Sequence, residues 1–145
     1  MVDIWSPQKR SAVMARIRSK NTGPEKAVRS LVYSMGYRFR LHAKDLPGKP
    51  DIVFRRRAAV IFVHGCFWHL HSKCRDGTVP KSNVSHWRAK LLRNVHRDRQ
   101  HARRLRRAGW RVLTVWECET ENNVERLERR LERFLAGKRA KTRRS

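Results

Sequence analysis

Ala58-Ala59-Val60-Ile61-Phe62-Val63, running directly into His64-Gly65-Cys66-Phe67-Trp68-His69-Leu70-His71-Ser72-Lys73-Cys74, is the stretch on which the reading of the fold turns. Its first half is uncharged and apolar, follows Arg55-Arg56-Arg57, and reads as a buried strand. Its second half packs thiols, imidazoles and large aromatics into one loop, and versatile groups leaving a rigid strand are what a functional site needs. Upstream, Leu46-Pro47-Gly48-Lys49-Pro50 is a turn and Asp51-Ile52-Val53-Phe54 a short strand. Joined so tightly at the arginine tip, the two strands should pair antiparallel.

Working outward, Tyr37 to Leu41 alternates as a half-buried strand. Before it, Thr22-Gly23-Pro24-Glu25 starts a helix carrying Val28, Leu31, Val32 and Met35 that stops at Gly36. Ser6-Pro7 opens a basic helix with Val13, Met14 and Ile17 on one face. Downstream, a helix is expected from about Ser85 to Ala108 with Leu91, Val95, Ala102 and Leu105 inward. Arg111 to Trp116 is a strand leading to Glu117-Cys118, and a last helix spans about Asn123 to Ala136. The order α-α-β-β-β-α-β-α gives an α/β fold, a mixed sheet flanked by helices. Residues 1–136 form one domain whose first 20 residues are a helical arm facing the partner; 137–145 are a disordered basic tail.

The chain has 145 residues and a net charge of +24, with 39% apolar and 33% charged residues. Such self-repulsion is relieved by a polyanion. No apolar run approaches a membrane span and no signal-peptide pattern is present, so nucleic acid is the expected partner and a reducing compartment the expected setting. Three cysteines make no closed disulfide set. Clustered with histidine in a reducing compartment, they point to metal instead.

Cys66, His71, Cys74 and the distant Cys118 supply four N/S ligands suited to a closed, structural zinc site. The alternative is that Cys66 and Cys118 are small core residues, and spacing alone does not separate His71 from His69 or His64. Asp51, at a strand start, offers a hard oxygen to Mg²⁺ or else caps its turn. Glu25 is either half of a capping box or a functional acid. His64 and His69 have the side chain best suited to proton transfer near neutrality, or are surface residues. Phe67 and Trp68, adjacent on an extended segment, cannot both point inward, so an exposed pair that stacks on or wedges between bases competes with packing around the metal; Trp87 could join them. Trp5, Trp110 and Trp116 read as ordinary packing residues.

Four motifs in order, Leu46-Pro47-Gly48-Lys49-Pro50-Asp51, Val60 to His69, Arg93-Asn94-Val95-His96-Arg97-Asp98 and Gly109 to Cys118, resemble the very-short-patch-repair (Vsr) mismatch endonucleases over about residues 8–135. The resemblance implies a restriction-endonuclease-like core with a structural Zn²⁺. It also implies Mg²⁺-dependent nicking of one strand, 5′ to the thymine of a T:G mismatch left by deamination of 5-methylcytosine. By residue, it implies Asp51 and the Val63 backbone carbonyl as Mg²⁺ ligands, and His69 as general base supported by His64 and Glu25. Phe67, Trp68 and Trp87 become the aromatic wedge, and Cys66, His71, Cys74 and Cys118 the zinc set. Where the wider nuclease superfamily carries an acid-x-Lys triplet, Phe62-Val63-His64 stands here, in keeping with the Vsr branch. The implied protein is a bacterial, cytoplasmic, nucleoid-associated monomer acting on double-stranded DNA, with mismatch-repair proteins as further candidate partners. The rival expectations are a restriction-type nuclease with no mismatch requirement and a non-catalytic, zinc-stapled nucleic-acid-binding module.

Overall fold

A computed structural model describes residues 22–71, 74 and 77–137. The expected basic arm of residues 1–20 and the tail beyond Gly137 lie outside the described residues. Helix α1 (Gly23–Ser34) is followed by strands β1 (Arg40–Leu41) and β2 (Ile52–Phe54), a 3-10 turn (Arg55–Arg57) and strand β3 (Ala59–His64). Then come the long helix α2 (Val84–Arg107), strand β4 (Arg111–Trp116), and helices α3 (Glu117–Asn122) and α4 (Val124–Ala136). None of the helices described is long and apolar enough to cross a membrane.

The sheet order is β1-β2-β3-β4. The β2–β3 pair is the expected antiparallel hairpin, with Ile52 opposite Ile61 and Phe54 opposite Ala59. Strand β4 runs parallel to β3 in register from Ala59↔Arg111 to His64↔Trp116. A parallel neighbour requires a crossover, and α2 supplies it. Both sheet faces are therefore covered, which explains the unbroken apolar run in β3. On one face Ile52, Phe54, Ala59, Ile61 and Val115 pack against Val28 and Val32 of α1 and Leu127, Leu131 and Leu135 of α4. On the other, Val53, Val60 and Phe62 pack with Leu105 of α2. Each large aliphatic side chain so buried contributes about 1.5–3 kcal/mol.

Two expected elements differ. The strand over Tyr37–Leu41 contracts to Arg40–Leu41, because β2 offers it only two register partners. Tyr37 and Phe39 instead turn edge-on to Phe54, at 6.4 and 6.1 Å between ring centroids. Before the last helix the chain forms the extra turn α3, so Cys118 sits on a helix rather than at a bare strand end. Asn123 breaks the two helices and caps α4, its side chain accepting from the Arg126 N–H at 3.0 Å.

Candidate active site and metal cluster

The Pro47–Pro50 turn delivers Asp51 to the start of β2. Its reversal requires Gly48 at φ +74°, where a Cβ would also strike the His101 side chain of α2 at 2.8 Å. The Val63 N–H donates to Asp51 Oδ2 at 2.7 Å, bolting the carboxylate to the end of β3. Glu25 enters from the first turn of α1, where its N–H donates to Thr22 Oγ1 at 3.4 Å. Its carboxylate is buried, accepts from Arg29 Nη2 at 3.0 Å and lies 3.6 Å from His42 Nε2. Capping and an inward-facing acid thus coexist at this position. Glu25, His42 and Asp51 bring ligand atoms within 4.8 Å of one another. Burial, opposed by the Val63 N–H and reinforced by the Glu25 charge, pushes the Asp51 carboxyl up to about 7. An Asp51 carboxyl of raised proton affinity, crowded by the Glu25 carboxylate, fits a divalent cation, which would relieve the repulsion that now favours a proton on Asp51.

At the end of β3 the chain doubles back. The N–H groups of His69, Leu70 and His71 donate to the carbonyls of Gly65, Phe67 and Cys66 at 3.2, 3.3 and 3.0 Å, and Leu70 takes φ 46°. This folds His69 onto His64, ring centroids 3.7 Å apart and planes within 5°. His69 Nδ1 is hydrogen-bonded to Asp98 of α2. Burial, followed by the His69 charge, pushes His64 down to about 3, so it stays neutral beneath its partner. The sequence alone gives Asp98 no role beyond its place in a motif. The available signal was that it is the lone carboxylate of the 24-residue, strongly basic α2.

The second half of the loop gathers Cys66, His71, Cys74 and Cys118, with ligand atoms within 4.8 Å of one another. His71 Nδ1 is 3.7 Å from Cys66 Sγ and 3.5 Å from Cys118 Sγ. Tetrahedral zinc with ordinary bond lengths sets neighbouring N and S ligands about 3.6 Å apart, so the set has the right size before any ion is considered. Burial pushes the Cys66 and Cys118 thiols up, a cost that coordination as thiolates would remove. His64 and His69 belong to the other cluster, and His71 alone of the three faces the thiols. Gly77 closes the loop against the His71 backbone, where a Cβ would fall 2.1 Å from the His71 carbonyl oxygen.

Trp116 is no ordinary packing residue. Its ring stacks on His71 at 4.2 Å and meets His64 and His69 edge-on at 5.4 and 6.5 Å, joining the two clusters. The Trp116 backbone N–H donates to Glu119 Oε1 at 3.0 Å, and Arg130 of α4 grips both Glu119 oxygens at 2.7 and 2.8 Å. The aromatic pair also departs from expectation. Because the loop is coiled rather than extended, Phe67 and Trp68 stack on each other at 5.3 Å and 7°, and Trp68 is buried. Trp87 does join them, at 5.5 and 6.1 Å, above Leu91. The Lys90 ammonium lies over the Trp68 and Trp87 rings.

Glu25, Asp51, Val63, His64, His69 and Asp98 all line one open groove of about 1440 Å³, whose walls carry Arg97, Arg103, Arg106 and Arg130. The family described as DNA mismatch endonuclease Vsr matches residues 2–75. The chain is 40% identical to the DNA mismatch endonuclease Vsr of Escherichia coli over 141 residues, covering 94% of this chain and 90% of that protein. It is 54% identical to the type II nicking enzyme V.XorIIP of Xanthomonas oryzae pv. oryzae over 135 residues, 93% of this chain and 98% of that one. Among solved structures, the catalytic domain of the homing endonuclease I-Bth0305I superposes with a TM-score of 0.54 at 19% identity, over 80% of this chain and 96% of that one. That likeness speaks for the fold alone: a restriction-endonuclease-like sheet with helices on both faces. Sequence, fold and groove together make this chain a DNA endonuclease belonging to the Vsr family.

Proposed function

We propose that this endonuclease nicks one strand of duplex DNA 5′ to the thymine of a T:G mismatch, using Mg²⁺. The observation that carries the reading is the opening onto one groove of Asp51, anchored by Val63, and the His64–His69–Asp98 set. Asp51 and the Val63 carbonyl are the assigned holders of the divalent cation, with Glu25 alongside. Bound there, the cation would offset charge gathering on the leaving 3′-oxygen. His69 takes the proton of the attacking water, and Asp98 orients the ring and stabilises its imidazolium. His64, kept neutral, supports the ring of His69 without repelling its charge. Cys66, His71, Cys74 and Cys118 are assigned to structural zinc, on the strength of their donor set and spacing.

Phe67, Trp68 and Trp87 serve as the wedge beside the mismatch. Their preformed stack supports this, since the less buried Phe67 is backed by the buried Trp68 ring and so enters a base step at little conformational cost. Unstacking costs least at a wobble pair, so the wedge itself favours mismatches. Nicking of a panel of T:G duplexes with varied flanks, beside their matched counterparts, tests the reading: T:G substrates should be cut in one strand and matched ones spared. Equal cutting of the matched duplexes would establish the restriction-type alternative.

A further inference from the structure

The end of the sheet opposite the groove carries a second basic surface. From Ala59 to His64, β3 advances about 17 Å, so its two ends are well separated. Asp51, Val63 and Trp116 mark one end; Phe54, Ala59 and Arg111 mark the other. At that far end Arg38, Arg40, Arg55, Arg56 and Arg57 are all exposed and line a single concavity of about 590 Å³. Asp45 pairs with Arg55, and the Leu135 carbonyl accepts from Arg57 at 2.8 Å. Arg38, Arg40 and Arg56 meet no acidic partner among the described residues. Gly137 lies at this end beside Arg111, and the eight residues that follow it in the sequence include five basic ones.

We propose that this arginine concavity binds a second segment of duplex DNA, separate from the segment in the groove, so that one protein molecule holds two. Guanidinium forks match phosphate oxygens, and the concavity supplies several with little acidic compensation. A protein partner would want an apolar anchor, and the aromatic rings that line the concavity are already engaged. Tyr37 is covered by the Arg57 guanidinium at 4.6 Å, and Phe39 is turned onto Phe54. Holding a remote segment while the groove samples another lets the enzyme transfer between segments during a search. The inference goes beyond the nicking reading and needs neither the mismatch nor the metal.

The test is capture of a labelled matched duplex by full-length protein bound to an immobilised one, with no Mg²⁺ added and no chelator, and with nicking of a short T:G duplex assayed separately. The parent should hold the second duplex. Arg38→Gln/Arg40→Gln/Arg56→Gln should hold it at least tenfold less well, with short-duplex nicking within twofold. Lys26→Gln/Arg129→Gln/Arg133→Gln, which removes equal charge from α1 and α4, should still bridge. Failure of the parent to bridge, undiminished bridging by the first variant, or equal loss in the second overturns the proposal. So does short-duplex nicking that falls in step with bridging, which would assign these arginines to the groove's own contacts. Absence of nicking by the parent, with bridging intact, would count against the nicking reading alone.

Discussion

Two polar clusters share the last residues of β3 and β4 yet differ in what holds them. The thiol cluster is tied together by two segments distant in sequence: the loop, with Cys66, His71 and Cys74, and α3, with Cys118. The carboxylate–imidazole cluster leans on elements the fold would have in any case: α1 for Glu25, β2 for Asp51 and α2 for Asp98. The first organises the chain, and the second is organised by it. Groups in the second therefore stay in states that cost stability, such as a buried carboxyl crowded by another acid.

The sharpest way to break this contrast is Asp51→Asn. Removing the proposed cation ligand should lower the nicking rate about a thousandfold, equivalent to roughly 4 kcal/mol of barrier, without loss of DNA binding. A variant that nicks normally removes the metal role. Next in size, chelation of metal from the thiol cluster, or Cys118→Ser, should lower Tm by about 10 °C or more, since the loop and α3 lose their common anchor. An unchanged melt would dismiss the four-ligand site. Asp98→Asn should cost about a hundredfold in rate with Tm nearly unmoved, because His69 loses its orienting carboxylate while the core is untouched. Trp116→Leu should reduce the rate about tenfold with metal content preserved. Full activity there would show the clusters to be independent.

The smallest effect is in stability against pH. Asp51 titrates near 3.8 when unfolded and is raised to about 7 in the fold. The folded state then holds the extra proton between those values, and stability falls as pH rises through that window. His64 works oppositely: lowered from 6.5 to about 3, it contributes stability that is lost as pH falls below 6.5. The two trends overlap and partly cancel, so the informative quantity is the difference between parent and Asp51→Asn. Without divalent cation the variant should gain on the parent as pH rises from about 4 to 7, and saturating Mg²⁺ should narrow the gap. A constant difference across the range would contradict the buried-carboxyl account.

Much of this was legible from local pattern. The apolar run Ala58–Val63 is specific enough to define a strand buried on both faces, and Thr22-Gly23-Pro24 enough to start α1. The spacing of Leu127, Leu131 and Leu135 likewise marks the face of α4 that enters the core. Alternation over Tyr37–Leu41 overstates the strand, because it fixes which side chains share a face and not whether a partner strand is long enough to pair. The mutual arrangement of Phe67 and Trp68 is illegible for a related reason: an extended loop forbids both from packing inward, whereas the coiled one formed here stacks them.

By itself, then, the sequence determined the chemistry available to this protein: a polycationic α/β chain with one thiol-rich loop, an acid opening one strand and imidazoles leaving the next. Tertiary structure alone decided how those groups divide. His71 goes to the thiols while His64 and His69 stack; Asp98, 29 residues beyond His69, completes the pair; Trp116 spans both clusters; and arginines from two segments converge at the opposite end. The physical reason is that composition and period constrain a residue's local conformation and face, whereas the crossover through α2 and the register of β3 against β4 bring distant residues within hydrogen-bonding distance. Those pairings belong to the assembled sheet and to no single segment of the chain.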